Sequence, residues 1–525
     1  MSKKVKAISL LMLCLILLLT ACAPAESAAQ ESNDSGEASV ESEYAKRITI
    51  GRLGDAAYLD PNQAVGVAEI TITQQIYEGL VKASEDCKSI VPALASDWTI
   101  SKDALVYTFN LRPDIKFSDG SAVTGADWEW SLIRARDAET SGYRFAAEPI
   151  ESVESDGKTV VITLKEPSAS FLGNLCMFNL TLGSKAHWDA VGEQTYAQQP
   201  LGTGPYMLKE WNKEENILLV KNPYYWREGI PFTEELNYKV VGDDNTRSLQ
   251  LQSGDIDIMM DVPFSMVSQI ETSQNVKIHT FPSTQIRYFI LNTTQAPLDN
   301  QKVRQAIGMA IDKQELADIV TSGFGKPAES LLSDTQIQWF FDDLAYNEYD
   351  VDAAKALLDE AGYPDGVEFT ISVRSGSQVY EQVAVMLKSQ LAKAGINVEL
   401  EMLERASLSE KYQTLSHEAT ILQWVDDFPD PSGIMGWTID YDQCHAWYTG
   451  LNDEDLDQFN AAANVELDLE KRMEMYDEIQ QRIYDNANVI PLFSNAFVWA
   501  SSDKVENLKV TPFYVQITDN LKMKK

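Results

Sequence analysis

Between Phe369 and Leu400 the hydrophobic period of the chain switches twice, and this restricts the possible folds more than any other stretch. Phe369 to Val373 reads as a strand. Val379, Val383, Met386, Leu387 and Leu391 then recur at helical spacing, Gly395 stops that helix, and Ile396 to Leu400 resumes as a strand. Strand, helix and strand in succession make a βαβ unit, whose strands pair in parallel through a right-handed crossover. Just upstream, Asp350 is placed to cap a helix running to Ala361, with Ala354, Leu357, Leu358 and Ala361 on one face and Gly362 closing it. The first half of the chain reads differently. Val106 to Leu111 alternates with period two, Thr159 to Leu164 does so less cleanly, and turn residues bound both. The mixture predicts an α/β protein, with ligands gathering at the carboxyl ends of sheet strands.

The N-terminus sets the compartment. Lys3, Lys4 and Lys6 precede a mostly apolar run from Ala7 to Leu19. At about 13 residues it is too short to span a bilayer as a helix and reads as a secretion signal. The following Leu19-Thr20-Ala21-Cys22 resembles the lipobox of bacterial lipoproteins, in which cleavage leaves the cysteine first and its sulfur takes a diacylglyceryl group. That resemblance implies a signal peptide over 1–21, lipidation at Cys22 and a membrane anchor. The alternative is an ordinary signal peptide with an accidental cysteine. Residues 22–45 are small, polar and acidic and read as a disordered tether. No other long apolar run follows, so a water-soluble, extracytoplasmic body is expected from about residue 46 to the end.

Removing residues 1–21 leaves 504, more than one hydrophobic core usually supports, so two or three lobes are expected. The chain carries 79 Asp and Glu against 43 Lys and Arg, three of the latter in the leader. Such a surface repels phosphate, and nucleic acid is not expected as a partner. Cys87, Cys176 and Cys444 remain in the body, enough for one disulfide at most, and buried or free thiols are the plainer reading. No C-x-x-C pair occurs and His187, His279, His417 and His445 stand far apart, so neither a metal site nor a cofactor is expected.

Enzymatic signatures are missing: there is no G-x-S-x-G, H-E-x-x-H, Walker loop or G-x-G-x-x-G opening a helix. Gly202-Thr203-Gly204-Pro205 is too short to cradle a phosphate. Asp255 and Asp257, near Asp261, alternate along the chain and read as a solvated strand face rather than metal ligands. No nucleophile and base pair up, and an enzyme is not expected.

Several ordered segments together resemble the oligopeptide- and dipeptide-binding proteins of ABC importers, the bacterial extracellular solute-binding proteins of family 5. They include Val91 to Trp98, Tyr107-Thr108-Phe109 with Leu111-Arg112, Lys116 to Gly120, and Thr124 to Asp127. The series continues with Gly202 to Tyr206, Lys221 to Trp226, Leu251 to Asp257, Lys302 to Ile307 with Ala310-Ile311-Asp312, and Ala354 to Gly362. The resemblance spans nearly the whole body. It implies a periplasmic-binding-protein-like fold of two lobes joined by a hinge, with an extra domain on the first lobe. On that pattern, lobe I comprises 46–80, 186–288 and 488–525, the extra domain 81–185, and lobe III 289–487. It further implies a monomer that closes over a peptide and delivers it to permease subunits.

Trp424-Val425-Asp426-Asp427-Phe428-Pro429-Asp430-Pro431 matches the family's W-x-x-D-x-x-D/E-P segment, whose first aspartate grips the ligand's α-ammonium. By that match the grip falls on Asp427, with Asp426 as the alternative if the register slips by one, and Trp424 walls the first side-chain pocket. An α-amino group with a pKa near 8 is mostly cationic at neutral pH, so a carboxylate enclosed with it makes a charge-assisted hydrogen bond. The competing reading is an acidic, proline-rich turn with a core tryptophan. The resemblance also places Tyr288 near the peptide from the hinge-side strand, and Glu69 and Thr71 in a loop that meets the ligand backbone. For the ligand's carboxylate, Arg374 and Arg405 lie in plausible segments, with surface ion pairs as their commoner fate. Ile421 stands three residues before Trp424, where some oligopeptide binders carry a basic residue, so peptide length and terminus preference stay open. Other readings on the same fold are a nickel chelate, an oligosaccharide, or a signalling or adhesion role.

Overall fold

The structure is a computed structural model that describes residues 43–525 apart from 65, 140, 142, 337–338 and 342–347 and the side chains of 443 and 444. Cys22 and the leader therefore lie outside the described residues, as does the side chain of Cys444.

The βαβ unit forms where the periodicity puts it. Strand Val367–Arg374 leads into helix Gln378–Ala392, and strand Ile396–Leu403 returns parallel to the first, Val367 opposite Ile396. The sheet starts tightly. Gly366, at φ +87°, would put a Cβ 2.0 Å from the carbonyl oxygen of Gly395, so both the conformation and the close approach demand glycine there. Helix Val351–Glu360 is capped by Asp350, whose side chain accepts from the N–H groups of Asp352 and Ala353 at 3.0 and 2.8 Å. Gly362, at φ +92°, follows it. These elements belong to a six-stranded sheet in the order Gly325–Pro327, Val489–Asn495, Ile286–Leu291, Ala419–Trp424, Val367–Arg374, Ile396–Leu403. Its central strand sorts its side chains by alternation: Phe289 and Leu291 enter the core under helix Gln378–Ala392, while Ile286, Tyr288 and Ile290 enter the opposite core.

A seven-stranded sheet is built from Val276–Phe281, Phe497–Ser502, Ile258–Met259, Arg47–Arg52, Glu235–Val240, Asn216–Lys221 and Tyr206–Asn212, in that spatial order. A third, four-stranded antiparallel sheet takes Ala95–Ile100, Val106–Leu111, Thr159–Leu164 and Ile150–Ser155, and its core includes Trp128 and Leu132 from helix Gly125–Asp137. Both period-two segments of the first half are strands of this sheet.

The chain passes between the two larger sheets at 282–285 and again at 496, and the crossings are tied together. The Ser283 hydroxyl donates to the Asn495 carbonyl, and the Asn495 N–H donates to the Gln285 carbonyl at 3.4 Å. The second crossing lies beyond the boundary expected at 488. Strand Val489–Asn495 hydrogen-bonds to Ile286–Leu291 in the six-stranded sheet, because its fully buried apolar run completes that sheet's interior. The aspartates at 255 and 257 also differ from expectation. They precede the short strand Ile258–Met259 instead of forming a solvated strand face, and Asp257 accepts the Thr49 N–H at 2.7 Å. Among the described residues no helix is long and apolar enough to cross a membrane, and no three His, Cys, Asp or Glu side chains gather as a metal-binding group.

Candidate ligand-binding cavity

A cavity of about 1020 Å³ lies where the three sheet units meet. Thr71 and Tyr514 line it from the seven-stranded unit, Tyr143 and Cys176 from the four-stranded unit, and Trp424 and Asp427 from the six-stranded unit. It sits beyond the carboxyl ends of strands Val367–Arg374 and Ala419–Trp424, where open α/β sheets collect ligands.

The segment after strand Ala419–Trp424 is held by all three units. Trp424 packs on Trp437 at 5.3 Å between ring centroids, Val425 packs against the core of the seven-stranded unit, and Phe428 joins that of the four-stranded unit. Asp430 ends the segment in a buried pair with Arg472, whose Nη1 and Nη2 donate to its two oxygens at 2.6 and 2.8 Å. With its neighbours fixed, Asp427 is presented half-buried to the cavity, and among the described residues it makes no hydrogen bond or ion pair. Burial pushes its carboxyl up to about 7. Asp426 points away from the cavity. It accepts from Gln336 Nε2 at 2.7 Å and Trp424 Nε1 at 3.2 Å, and burial, with Asp427 beside it, raises it to about 8.

Of the other residues singled out from the sequence, Thr71 lines the cavity, its hydroxyl donating to the Val67 carbonyl at 2.7 Å. Glu69 does not line it: its carboxylate accepts the Ala57 N–H at 2.9 Å and holds a loop. Tyr288 does not either. It is buried against Trp447, and its hydroxyl donates to the Leu331 carbonyl at 2.7 Å. The cause is strand alternation, which turns Tyr288 into the core and gives the cavity its neighbour Arg287. Arg374 and Arg405 are exposed and lie off the cavity, and Ile421 is buried in the core. Sequence reasoning missed Arg287 and Tyr143; the first lies on a strand buried on both faces, where no alternation marks the face that meets the cavity. Tyr143 comes from a turn in the four-stranded unit, and Asp427 and Glu69 contribute to raising its hydroxyl pKa, after burial. Cys87 and Cys176 are free thiols in the cavity wall, both pushed by burial up to about 12.

Two lobes and an added antiparallel unit around one shared cavity define a periplasmic-binding-protein-like solute-binding protein. The family model described as "Bacterial extracellular solute-binding proteins, family 5 Middle" matches residues 89–442. A glutathione-binding protein GsiB from Pectobacterium atrosepticum is 30% identical over 468 residues, covering 86% of this chain and 90% of that protein. Among solved structures, the periplasmic binding protein DppA of Helicobacter pylori in complex with peptide STSA superposes with a TM-score of 0.81 at 27% identity, covering 92% of this chain and 99% of that one. A dipeptide-binding protein from Pseudoalteromonas in complex with Met-Leu gives a TM-score of 0.80 at 25% identity, covering 91% and 100%. The chain belongs to the bacterial extracellular solute-binding proteins of family 5, the solute-binding components of ABC importers.

Proposed function

We propose that this protein captures short peptides outside the cytoplasm, with Asp427 as the anchor for the ligand's amino group, and passes them to the permease of an ABC importer. The observation that carries this reading is the contrast inside one dipeptide. Asp426 is bound by two side-chain donors of the protein, while Asp427 faces the cavity with none among the described residues. A carboxylate that is partly desolvated and left without a protein donor is completed by a cation, and an α-ammonium supplies both the charge and three N–H donors. Trp424 and Tyr143 border the same space and favour an ordinary side chain next to the amine. Solved relatives in complex with Met-Leu and with peptide STSA agree in ligand class.

In this reading the lobes close by rotation about the two crossings near 283 and 496, and the protein works as a monomer without a metal or cofactor. Residues 46–80, 186–281 and 497–525 form lobe I, 81–185 the added domain, and 286–495 lobe III. A diacylglyceryl group on Cys22 holds the body to the outer face of the membrane. Cys22→Ala should therefore release the protein from the membrane fraction or block its processing, and quantitative retention would sink the anchor.

The ligand assignment is tested by titration calorimetry of four combinations: wild type and Asp427→Asn, each with Ser-Thr-Ser-Ala and its N-acetyl form. Acetylation leaves an enclosed carboxylate without its partner, a cost of about 3–5 kcal/mol, or a hundredfold or more in affinity. Asp427→Asn should lose a similar factor for the free amine and no longer distinguish the two peptides, because both changes break one interaction. Equal binding of the two peptides by the wild type would falsify the assignment.

A further inference from the structure

Among the described residues two arginines line the cavity, and they stand in opposite condition. Arg227 is paired with Asp519 at 2.5 Å. Arg287 is 6% exposed, and none of the described carboxylates pairs with it. Its Nη1 donates to Gln423 Oε1 at 2.6 Å and its guanidinium lies 4.8 Å from the centre of the Tyr380 ring. Its buried Nε has no acceptor among the described residues. A desolvated guanidinium is costly unless an anion meets it, and here the side open to the cavity is where that anion can come from.

A second feature converges on the same wall. Helix Gln378–Ala392, 15 residues long, starts there, and Gly376, Ser377, Gln378 and Val379 all line the cavity. The N-cap Ser377 makes no side-chain cap bond, and the positive end of the helix lies at this wall, its first-turn Tyr380 against Arg287. Glu381, in the first turn, accepts the Gly376 N–H at 2.9 Å and forms no ion pair with Arg287. From the opposite lobe, the Ser265 hydroxyl reaches Gln378 Oε1 at 3.4 Å, so the two lobes meet at this corner.

We propose that Arg287, steadied by Gln423 and Tyr380 and backed by the N-terminus of helix Gln378–Ala392, receives a carboxylate of the ligand. This rests on the peptide reading and deepens it: the amine sits at Asp427, the carboxylate at Arg287, and the preferred ligand is a short zwitterion. The ladder limits its length. Arg287 stands opposite Gln423, about 5 Å away between Cα atoms. Asp427 is four residues further along, at most about 14 Å of extended chain. The two backbones are therefore within about 19 Å of each other, and a ligand running straight and extended between the two groups is a short one.

The test uses the intact mature protein. Wild type, Arg287→Gln and Arg287→Lys are titrated with Ser-Thr-Ser-Ala, Met-Leu and glutathione, each as the free acid, as the C-terminal amide (for glutathione, the glycyl amide) and as the N-acetyl form. For the wild type, amidation of the best ligand should weaken binding at least about 30-fold, the loss of a charge-assisted pair. Arg287→Gln should lose the same factor for the acid and treat acid and amide alike, while Arg287→Lys, keeping the charge but not the fork, should recover part of it. If amidation leaves wild-type affinity unchanged, or Arg287→Gln still prefers the acid in full, the carboxylate subsite is overturned while the amine anchor stands. If acid and amide differ but acetylation has no effect, the amine anchor fails and the subsite stands. Should none of the three ligands bind, glutarate decides through the melting temperature. A rise in wild type that is absent in Arg287→Gln upholds the subsite without any peptide, and no rise overturns it. The amide comparison on the wild type needs no variant, so a misfolded Arg287→Gln cannot hide the answer.

Discussion

Asp427 and Asp430 lie three residues apart in one segment, and the protein treats them in opposite ways. Asp430 is nearly inaccessible and fully met by the guanidinium of Arg472, which also donates through Nε to the Ala463 carbonyl at 3.0 Å. Asp427 opens on a cavity and meets no donor among the described residues. The difference separates a charge that builds the site from a charge that uses it. The first is satisfied within the protein; in the proposed function the second is completed by the ligand.

The largest effect should come from breaking the satisfied pair. Arg472→Ala leaves Asp430 buried without a counter-charge and should destabilise the fold by about 3–5 kcal/mol in denaturant titrations. The opposite sign is expected at Asp427. Its folded pKa is raised from the ordinary carboxylate value to about 7, so the ionised form opposes folding and stability falls as pH rises from 4 towards 7. Asp427→Asn removes that opposition, and should raise stability at pH 8 by about 1–2 kcal/mol, discounted for contact with cavity water, and change nothing at pH 4. If both substitutions destabilise equally, the distinction between the two aspartates fails. The smallest effect is on affinity at mildly acidic pH. An ammonium ligand needs the ionised carboxylate, so below pH 7 binding to the wild type should weaken by up to about tenfold per pH unit. Asp427→Asn should show no such slope.

Much of the scaffold could be read from period alone. The βαβ unit, the Asp350 cap and the strands Val106–Leu111 and Thr159–Leu164 are all encoded within a few residues of themselves. The site was legible in part. The W-x-x-D-x-x-D/E-P pattern led to Trp424 and Asp427, which line the cavity, but it could not show that Asp430 is engaged by Arg472, 42 residues away. Tyr288 lies off the cavity for a simpler reason. On a strand buried on both faces, apolar content does not report which face meets the ligand, and a step of one residue exchanges Tyr288 for Arg287. Glu69 was singled out for the ligand, but its carboxylate is taken by the Ala57 N–H, a partner that only the folded chain brings to it.

The seating of Phe428 carries a consequence for timing. Its backbone belongs to the segment that bears Asp427, yet the residue, 2% exposed, lies in the core of the four-stranded unit with Phe171 and Leu175, and Gly173 leaves its ring room. Drawing that segment away from the four-stranded unit must first bring an aromatic ring into water, at a cost of about 1.5–3 kcal/mol. If that cost is met on the way to the open state, it slows the opening rate by about ten- to a hundredfold. The residence time of a bound solute is then governed in part by a residue that does not line the cavity, a hydrophobic bolt on the door and not a grip on the load.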